Sequence, residues 1–256
     1  MKKTKDLISI IMPVYNTEAF LSEALESIIN QTATSWELII VDDCSSDNSS
    51  NIAKLYSEND KRIQLVCNDK NYGAAISRNI GIDKSSGRYI TFLDADDVWN
   101  IKKLEIQIKF MKDNNCAFSY TSYEFADKDL NTTGKKVIVP KTITYNQALK
   151  NTTIWTCTVM LDSLQIQKED MKMKDLETGE DSTTWWSILK KIDKAYGVPD
   201  VLSIYRRTSN SQSSNKLRAI RNNWIIYRKI ENLNFIYATI CFTSYCINAT
   251  RRRLGW

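Results

Sequence analysis

The stretch Arg88-Tyr-Ile-Thr-Phe-Leu-Asp-Ala-Asp-Asp-Val-Trp99 restricts what this chain can become more than any other. Residues 89–93 are an apolar run of strand length, and they end abruptly in Asp94, Asp96 and Asp97. Carboxylates that close repel one another and shift each other's pKa unless something positive sits among them. A divalent cation meets that need, because Mg2+ and Mn2+ take one or two carboxylates together with the phosphates of a substrate. The plain alternative is a strand followed by an acidic turn that caps a helix.

The preceding residues decide how that strand is embedded. Residues 7–12, 36–41 and 63–67 read as buried strands, the first closed by Pro13 and the second by Asp42-Asp43. Between them lie helical patterns. Leu21, Ala24, Leu25, Ile28 and Ile29 share one face, with Asn16 or Thr17 placed to cap it, and residues 49–59 form a second helix. A third starts at Asn71-Tyr72-Gly73 and carries Ala75, Ile76, Ile80 and Ile82 inward. Strands and helices that alternate in this way predict an α/β fold, a mostly parallel, Rossmann-like sheet wrapped by helices. Ligands of such sheets lie beyond the carboxyl ends of the strands. Pro13, Val14, Tyr15, Asp42, Asp43, Asp94, Ala95 and Asp96 all stand at such ends.

The second half is less regular. It reads as a helix over 102–112, a strand over 116–125, a turn over 127–134 and strands over 137–139 and 155–161. A helix then begins at Asp181 or Ser182 and runs to 191, followed by a short strand over 201–206 and a polar loop over 209–215. From 216 the pattern is helical to the end.

Composition removes several chemistries. The chain has no histidine, so the commonest general base is missing and proton transfer must rest on Asp, Glu, Lys, Tyr or Cys. Its six cysteines show no CxxC pair, which argues against a zinc site and for reduced thiols in the cytoplasm. The first apolar run is too short for a signal peptide core. Seven glycines and no GxGxxG argue against a dinucleotide-binding enzyme.

Charge is concentrated in a tail, 216–256. Lys216, Arg218, Arg221, Arg228, Lys229, Arg251, Arg252 and Arg253 face a single acid there, Glu231. The segment 233–249 is apolar but interrupted by Asn, Thr and Ser, too polar for a spanning helix. It is expected to lie on an anionic membrane surface. Packing against the domain, or in an oligomer interface, is the alternative. No accompanying module supports nucleic-acid binding.

Taken in order, Ile10-Ile-Met-Pro-Val-Tyr-Asn16, Glu37-Leu-Ile-Ile-Val-Asp-Asp43 with Ser45 and Asp47, Gly73 with Arg78-Asn79 and Gly81, Gly87-Arg-Tyr-Ile with Leu-Asp-Ala-Asp-Asp97, and Glu180-Asp181 with Trp185 resemble the family 2 glycosyltransferases of the GT-A fold. The likeness spans roughly residues 7–210 and is nearest to bacterial capsule, teichuronic-acid and O-antigen transferases. It implies a domain over 1–215, with a nucleotide-binding half (1–100) and an acceptor-binding half (101–215), followed by the tail. It also implies an inverting enzyme that moves a sugar from a nucleotide-sugar donor, UDP-linked by expectation, to a hydroxyl of a polysaccharide or undecaprenyl-linked glycan. Its place would be the cytoplasmic face of the cell membrane.

The resemblance assigns roles. Asp43 would read the base, with Pro13 and Tyr15 lining the same pocket, although Tyr15 is also explained by packing. Asn71 and Arg78 would lie near the donor, an ion pair of Arg78 with Asp42 or Asp94 being the structural alternative. Asp94, Ala95 and Asp96 form the DxD signature; of Asp94 and Asp96, both candidate ligands of Mn2+ or Mg2+, one would hold the metal at the diphosphate and the other support the ribose or a metal-bound water. Asp181 is the candidate general base and Glu180 its neighbouring alternative; as a pair they are equally suited to cap a helix. Many relatives have His after a Tyr-Arg in the late strand. Here Thr208 follows Tyr205-Arg206-Arg207, so water fills that place or Arg206 and Arg207 meet the diphosphate directly. The motif of processive relatives is absent, which implies one sugar per encounter. Trp155, Trp185 and Trp186 are acceptor platforms or core.

Two other functions compete. A haloacid-dehalogenase-type phosphatase also ends a strand in DxD, but places it on an early strand, and three precede it here. A non-catalytic nucleotide-sugar-binding subunit would be expected to lack Asp181 or the DxD.

Overall fold

The structure, a computed structural model, describes residues 6–151, 153–176, 178–207 and 216–254. Its first half is regular: β1 (Ile8–Val14), α1 (Leu21–Ile29), β2 (Trp36–Asp42), α2 (Ser49–Asn59), β3 (Ile63–Cys67), α3 (Ala74–Lys84) and β4 (Tyr89–Phe92). There follow β5 (Val98–Trp99), α4 (Lys103–Asp113), β6 (Phe118–Ala126), β7 (Thr132–Val137), β8 (Thr142–Ile143) and α5 (Tyr145–Ala148). A 3-10 turn (Thr156–Thr158) leads into β9 (Met160–Asp162), α6 (Lys168–Met171), α7 (Glu180–Leu189) and β10 (Ala195–Arg206). The tail holds α8 (Lys216–Ile225), a π turn (Ile226–Ile230) and α9 (Phe235–Leu254).

One sheet runs in the order β3-β2-β1-β4-β9-β6-β10-β5, with β7 added beside β6 and β8 beside β10. β3, β2, β1 and β4 are parallel neighbours, and β9 lies antiparallel between β4 and β6. β10 is parallel to β6, so β1 to β4, β6 and β10 all deliver their carboxyl ends to the same edge. Successive side chains of a strand point to opposite faces, and β1 shows it. Ile8, Ile10, Met12 and Val14 enter the core under α1 and α4, with Leu21, Ala24, Leu25 and Leu104. Ile11 enters the other core, with Ile82, Phe92, Phe118, Trp185 and Trp186. Gly81 of α3 sits where a Cβ would meet Ile11 Cγ2 at 2.5 Å, so helix and strand touch there.

The structure corrects the sequence reading where local signals were weak. The residue before α1 is Phe20, without a side-chain cap; Thr17 contributes only its carbonyl to the first turn. β7 begins earlier than expected, inside the stretch read as a turn, and ends at Val137, where the expected strand begins. It is an edge strand whose first five residues are exposed, so it has no apolar pattern to read. Residues 155–161 are not one strand, because the 3-10 turn interrupts them. β10 is twice the length expected: Gly197, Pro199 and Asp200 look like breakers, but the register shifts around Val201 absorb them.

The tail is not one helix either; residues 231–234 interrupt it. Ile226, Tyr227, Ala238 and Cys241 are buried in the same core as Trp185 and Trp186, and Trp186 stacks on Tyr227 with ring centroids 5.6 Å apart. Glu231 closes the seam by accepting the Tyr145 hydroxyl and pairing with Lys190 at 2.7 Å. The polar loop read over 209–215, and Thr208, lie outside the described residues.

Candidate active site

Beyond the ends of β1 and β2, two loops lock together. Asn16 and Cys44 both adopt left-handed backbone, with φ of 50° and 63°. The Asn16 side-chain carbonyl accepts the Ser46 backbone N–H at 2.8 Å, and the Thr17 N–H donates to the Ser49 hydroxyl at 2.8 Å. The Glu18 N–H reaches Asp47 Oδ2 at 3.0 Å. The serine-rich stretch after β2 is therefore held rather than free. Asp43, just past β2, is buried and fixes the next loop. Its Oδ1 accepts the Tyr72 N–H at 2.9 Å and the Asn68 amide at 2.8 Å, and its Oδ2 accepts the Gly73 N–H at 2.7 Å. Asn71 is exposed on that loop, and its side chain accepts the Gly73 N–H as well. Pro13 is partly buried, Ala95 is buried, and Tyr15 and Tyr72 present exposed rings near the end of β2.

Arg78 is the hub. Placed by α3 and nearly buried, it donates through Nη2 to Asp94 Oδ1 at 2.6 Å and lies 3.6 Å through Nη1 from Glu180 Oε1. Burial alone would lower its pKa, but Asp94, then Glu180 and Asp181, raise it above its ordinary value. Its Nε is buried without a partner. Glu180 opens α7, and its own pKa is raised, by burial first and by Asp181 second, with Arg78 opposing. One guanidinium thus joins the acidic loop after β4 to the head of α7.

Asp96 is partly buried, and its pKa is raised to about 6, by burial first and by Asp94 second. Asp97 is wholly buried. Its Oδ1 accepts the Arg206 N–H at 3.0 Å, and its Oδ2 has no partner. Burial, then Asp96 and Asp94, push Asp97 well above the carboxylate range. Among the described residues, no group of three or more acidic or cysteine side chains encloses a metal ion. An open pair of carboxylates is nevertheless the donor set that Mg2+ or Mn2+ uses when substrate phosphates complete its shell. Asp94 and Asp96 fit a cation of that kind, whereas burial keeps Asp97 in its neutral form behind them.

Asp181 follows Glu180 in the first turn of α7, preceded by Gly179 in left-handed backbone (φ 79°). Asp181 Oδ2 accepts the Thr156 hydroxyl at 3.2 Å, and Oδ1 accepts the Ser182 N–H at 2.5 Å. The carboxylate is partly exposed and aimed by two donors. Gly179 meets the tail here, since a Cβ on it would lie 2.5 Å from Ile226 Cδ1. Asn222 also bonds Thr178 at 2.8 Å.

The model of the family described as glycosyl transferase family 2 matches residues 9–197. The chain belongs to glycosyltransferase family 2. TuaG of Bacillus subtilis, named for teichuronic acid biosynthesis, is 42% identical over 254 residues, 99% of this chain and 100% of that protein. WfgD of Escherichia coli, named a UDP-Glc:alpha-D-GlcNAc-diphosphoundecaprenol beta-1,3-glucosyltransferase, is 40% identical over 219 residues, 85% of this chain and 84% of that one. Among solved structures, Staphylococcus aureus TarS 1-349 with UDP-GlcNAc superposes with a TM-score of 0.72 at 17% identity, over 97% of this chain and 73% of that one. The mannosyltransferase PcManGT from Pyrobaculum calidifontis, with GDP-Man and Mn2+, gives 0.70 at 15% identity, over 97% and 76%. The fold is GT-A.

Set against this family 2 frame, the expected site residues divide. Asp94, Asp96, Arg78, Glu180 and Asp181 converge, and Asp43 with Pro13, Tyr15 and Asn71 forms a second group at the end of β2. Of the alternatives open to Arg78, the partner is Asp94. Arg206 is corrected. Its guanidinium donates to the Asp96 carbonyl at 2.8 Å, to the Lys128 carbonyl and to Glu23, so it braces the acidic loop rather than reaching toward a phosphate. Arg207 is the exposed neighbour, lying 3.8 Å from the centroid of Phe125. Trp185 and Trp186 are core, whereas Trp155 is partly exposed against Tyr205, with ring centroids 4.4 Å apart, next to Thr156. Thr156 and Glu23 were not foreseen; neither belongs to a local pattern, and only the fold brings them to the site.

Proposed function

We propose that this family 2 enzyme is an inverting transferase that moves one sugar per encounter from a UDP-sugar to a hydroxyl of a lipid-linked glycan in cell-surface polysaccharide synthesis. The carrying observation is the contact of Arg78 with both Asp94 and Glu180, which brings the acidic loop and the head of α7 to one cluster. The names of TuaG and WfgD, matched over most of their lengths, support the pathway class, the uridine donor and the diphosphoundecaprenol acceptor. Residues 1–100 would serve the nucleotide and 101–215 the acceptor.

In this reading the base and ribose lie at the end of β2, between Tyr15 and the loop that Asp43 pins. The diphosphate lies over Asp94 and Asp96. A divalent cation held by those two carboxylates would supply Lewis acidity where the leaving diphosphate gathers charge. Arg78 neutralises Asp94 and Glu180, and with its unpartnered Nε keeps positive charge under the donor. Asp181 accepts the proton of the acceptor hydroxyl as it attacks the anomeric carbon from the side opposite the diphosphate. Thr156 and the Ser182 N–H hold that carboxylate in place.

Asp181→Asn tests the assignment. Sugar transfer from UDP-glucose or UDP-GlcNAc to undecaprenyl-diphosphate-linked GlcNAc is expected to fall by about 100-fold or more, as loss of a positioned base does. UDP affinity is expected to stay within about twofold, since Asp181 contributes to transfer rather than to ground-state nucleotide binding. Turnover close to that of the unaltered enzyme would remove Asp181 as the base.

A further inference from the structure

α9 carries an outward face that nothing in the fold uses. Ala238 and Cys241 are buried against the core, Tyr237 donates to Asn146 at 3.0 Å, and Asn248 donates to the Lys150 carbonyl at 3.0 Å, so one side of the helix is docked. Ile236, Ile240, Thr243 and Ile247 follow at intervals of four, three and four residues and are all exposed, Ile236 by 74%. Phe235, 65% exposed, stands at the first turn of the same helix. A shallow depression of about 440 Å3 opens among Phe235, Ile236, Tyr237 and Ile240. Surface helices normally turn charged side chains outward. Yet residues 232–250 contain no charged residue at all.

The charges sit at the two ends. Lys229 is exposed ahead of the helix, and Arg251 is exposed in its last turn. A helix of 20 residues spans about 30 Å, so an occupant that meets both ends must be extended and negative. A second copy of this chain fits poorly. Packed helix on helix in either direction, it would set basic ends against basic ends, with no acid between 232 and 250 to compensate. No helix among the described residues is long and apolar enough to cross a membrane. We infer that α9 lies in the plane of an anionic lipid bilayer, with Ile236, Ile240, Thr243 and Ile247 turned into it and Lys229 and Arg251 at the headgroups. Interfacial helices bind in this way, through apolar burial reinforced by anionic lipid. The lipid-linked acceptor proposed above gives the contact a purpose, but the exposed apolar face is there whichever acceptor the enzyme uses.

The test uses the full chain and vesicles without any glycolipid, either pure phosphatidylcholine or phosphatidylcholine with phosphatidylglycerol. Co-sedimentation is expected with the anionic vesicles, weakened by salt, and reduced at least about tenfold by Ile236→Asp with Ile240→Asp, since both side chains leave the bilayer. Arg251→Glu is expected to weaken binding to anionic vesicles without touching the apolar face. Calorimetric binding of UDP to the same variants reports on the crevice and on folding, so loss of vesicle binding with UDP binding intact supports the inference. Equal sedimentation of the variants and the unaltered chain would overturn it. Absence of vesicle binding would do so too, and a dimer in sedimentation velocity, dissolved by the isoleucine changes, would assign the face to a second copy instead.

Discussion

Replacing Arg78 by glutamine removes the cation that, among the described residues, faces Asp94, Glu180 and Asp181 together. The Nη2 contact at 2.6 Å is a short, charge-assisted hydrogen bond, and the Glu180 contact at 3.6 Å adds an ion pair in a largely dry setting. Removing one partner of a buried ion pair costs about 3–5 kcal/mol, because the remaining charge stays buried and unpaired. Here Asp94 and Glu180 keep 26% and 21% of their side-chain surface, so water takes up part of the loss and the low end, about 3 kcal/mol, is expected. For a chain of this size that corresponds to a fall in Tm of about 6–12 °C. Thermal unfolding followed by circular dichroism reads it directly. The pH dependence identifies the cause. Burial and then Asp181 already raise the Glu180 carboxyl, and losing Arg78, which opposes them, raises it further, so the stability tied to its neutral form is present at low pH and lost as pH rises through the raised value. The deficit should therefore shrink from pH 8 to pH 5. A deficit under 1 °C, or one that widens on acidification, would show that Arg78 is not the counter-charge of this cluster.

Thr156→Val removes the hydroxyl that aims Asp181; kcat is expected to fall about three- to tenfold, the worth of one hydrogen bond, with UDP affinity unchanged by calorimetry. Burial and then Asp94 push Asp96 up to about 6, so its own contribution to apo stability is full below the ordinary carboxylate value and is lost as pH rises through about 6. Mn2+ binding requires the ionised form, so the rise in Tm on adding Mn2+ should be small at pH 5 and larger at pH 7.5. A Mn2+ effect that is flat over that range would remove Asp96 as a ligand.

The sequence exposed the first half of this molecule because each signal there is local. Strands such as 36–41 are apolar throughout and end in charge, so both their burial and the edge they point to follow from adjacent residues. The contacts that finish the site are not local. Arg78 meets Glu180 across 102 positions, and Arg206 meets Glu23 across 183. Nothing in Tyr-Arg-Arg distinguishes a guanidinium that braces a loop from one that waits for phosphate. β7 leaves no signal in the sequence because an edge strand facing water carries Thr, Gly and Lys rather than an apolar alternation. In the tail, absence of charge over 232–250 was visible, but the split of that segment into a docked side and an exposed side depends on which residues find the core.

The edge formed by β1 to β4 is expected to bind a uridine diphosphate with a divalent cation held at Asp94 and Asp96. Calorimetric titration of UDP tests it, with TDP, GDP and ADP as controls, with and without Mn2+, on the unaltered chain and on Asp96→Ala. Uridine-selective binding is expected, strengthened by Mn2+, with that strengthening lost in Asp96→Ala. Binding of none of the four nucleotides under any of these conditions would contradict it.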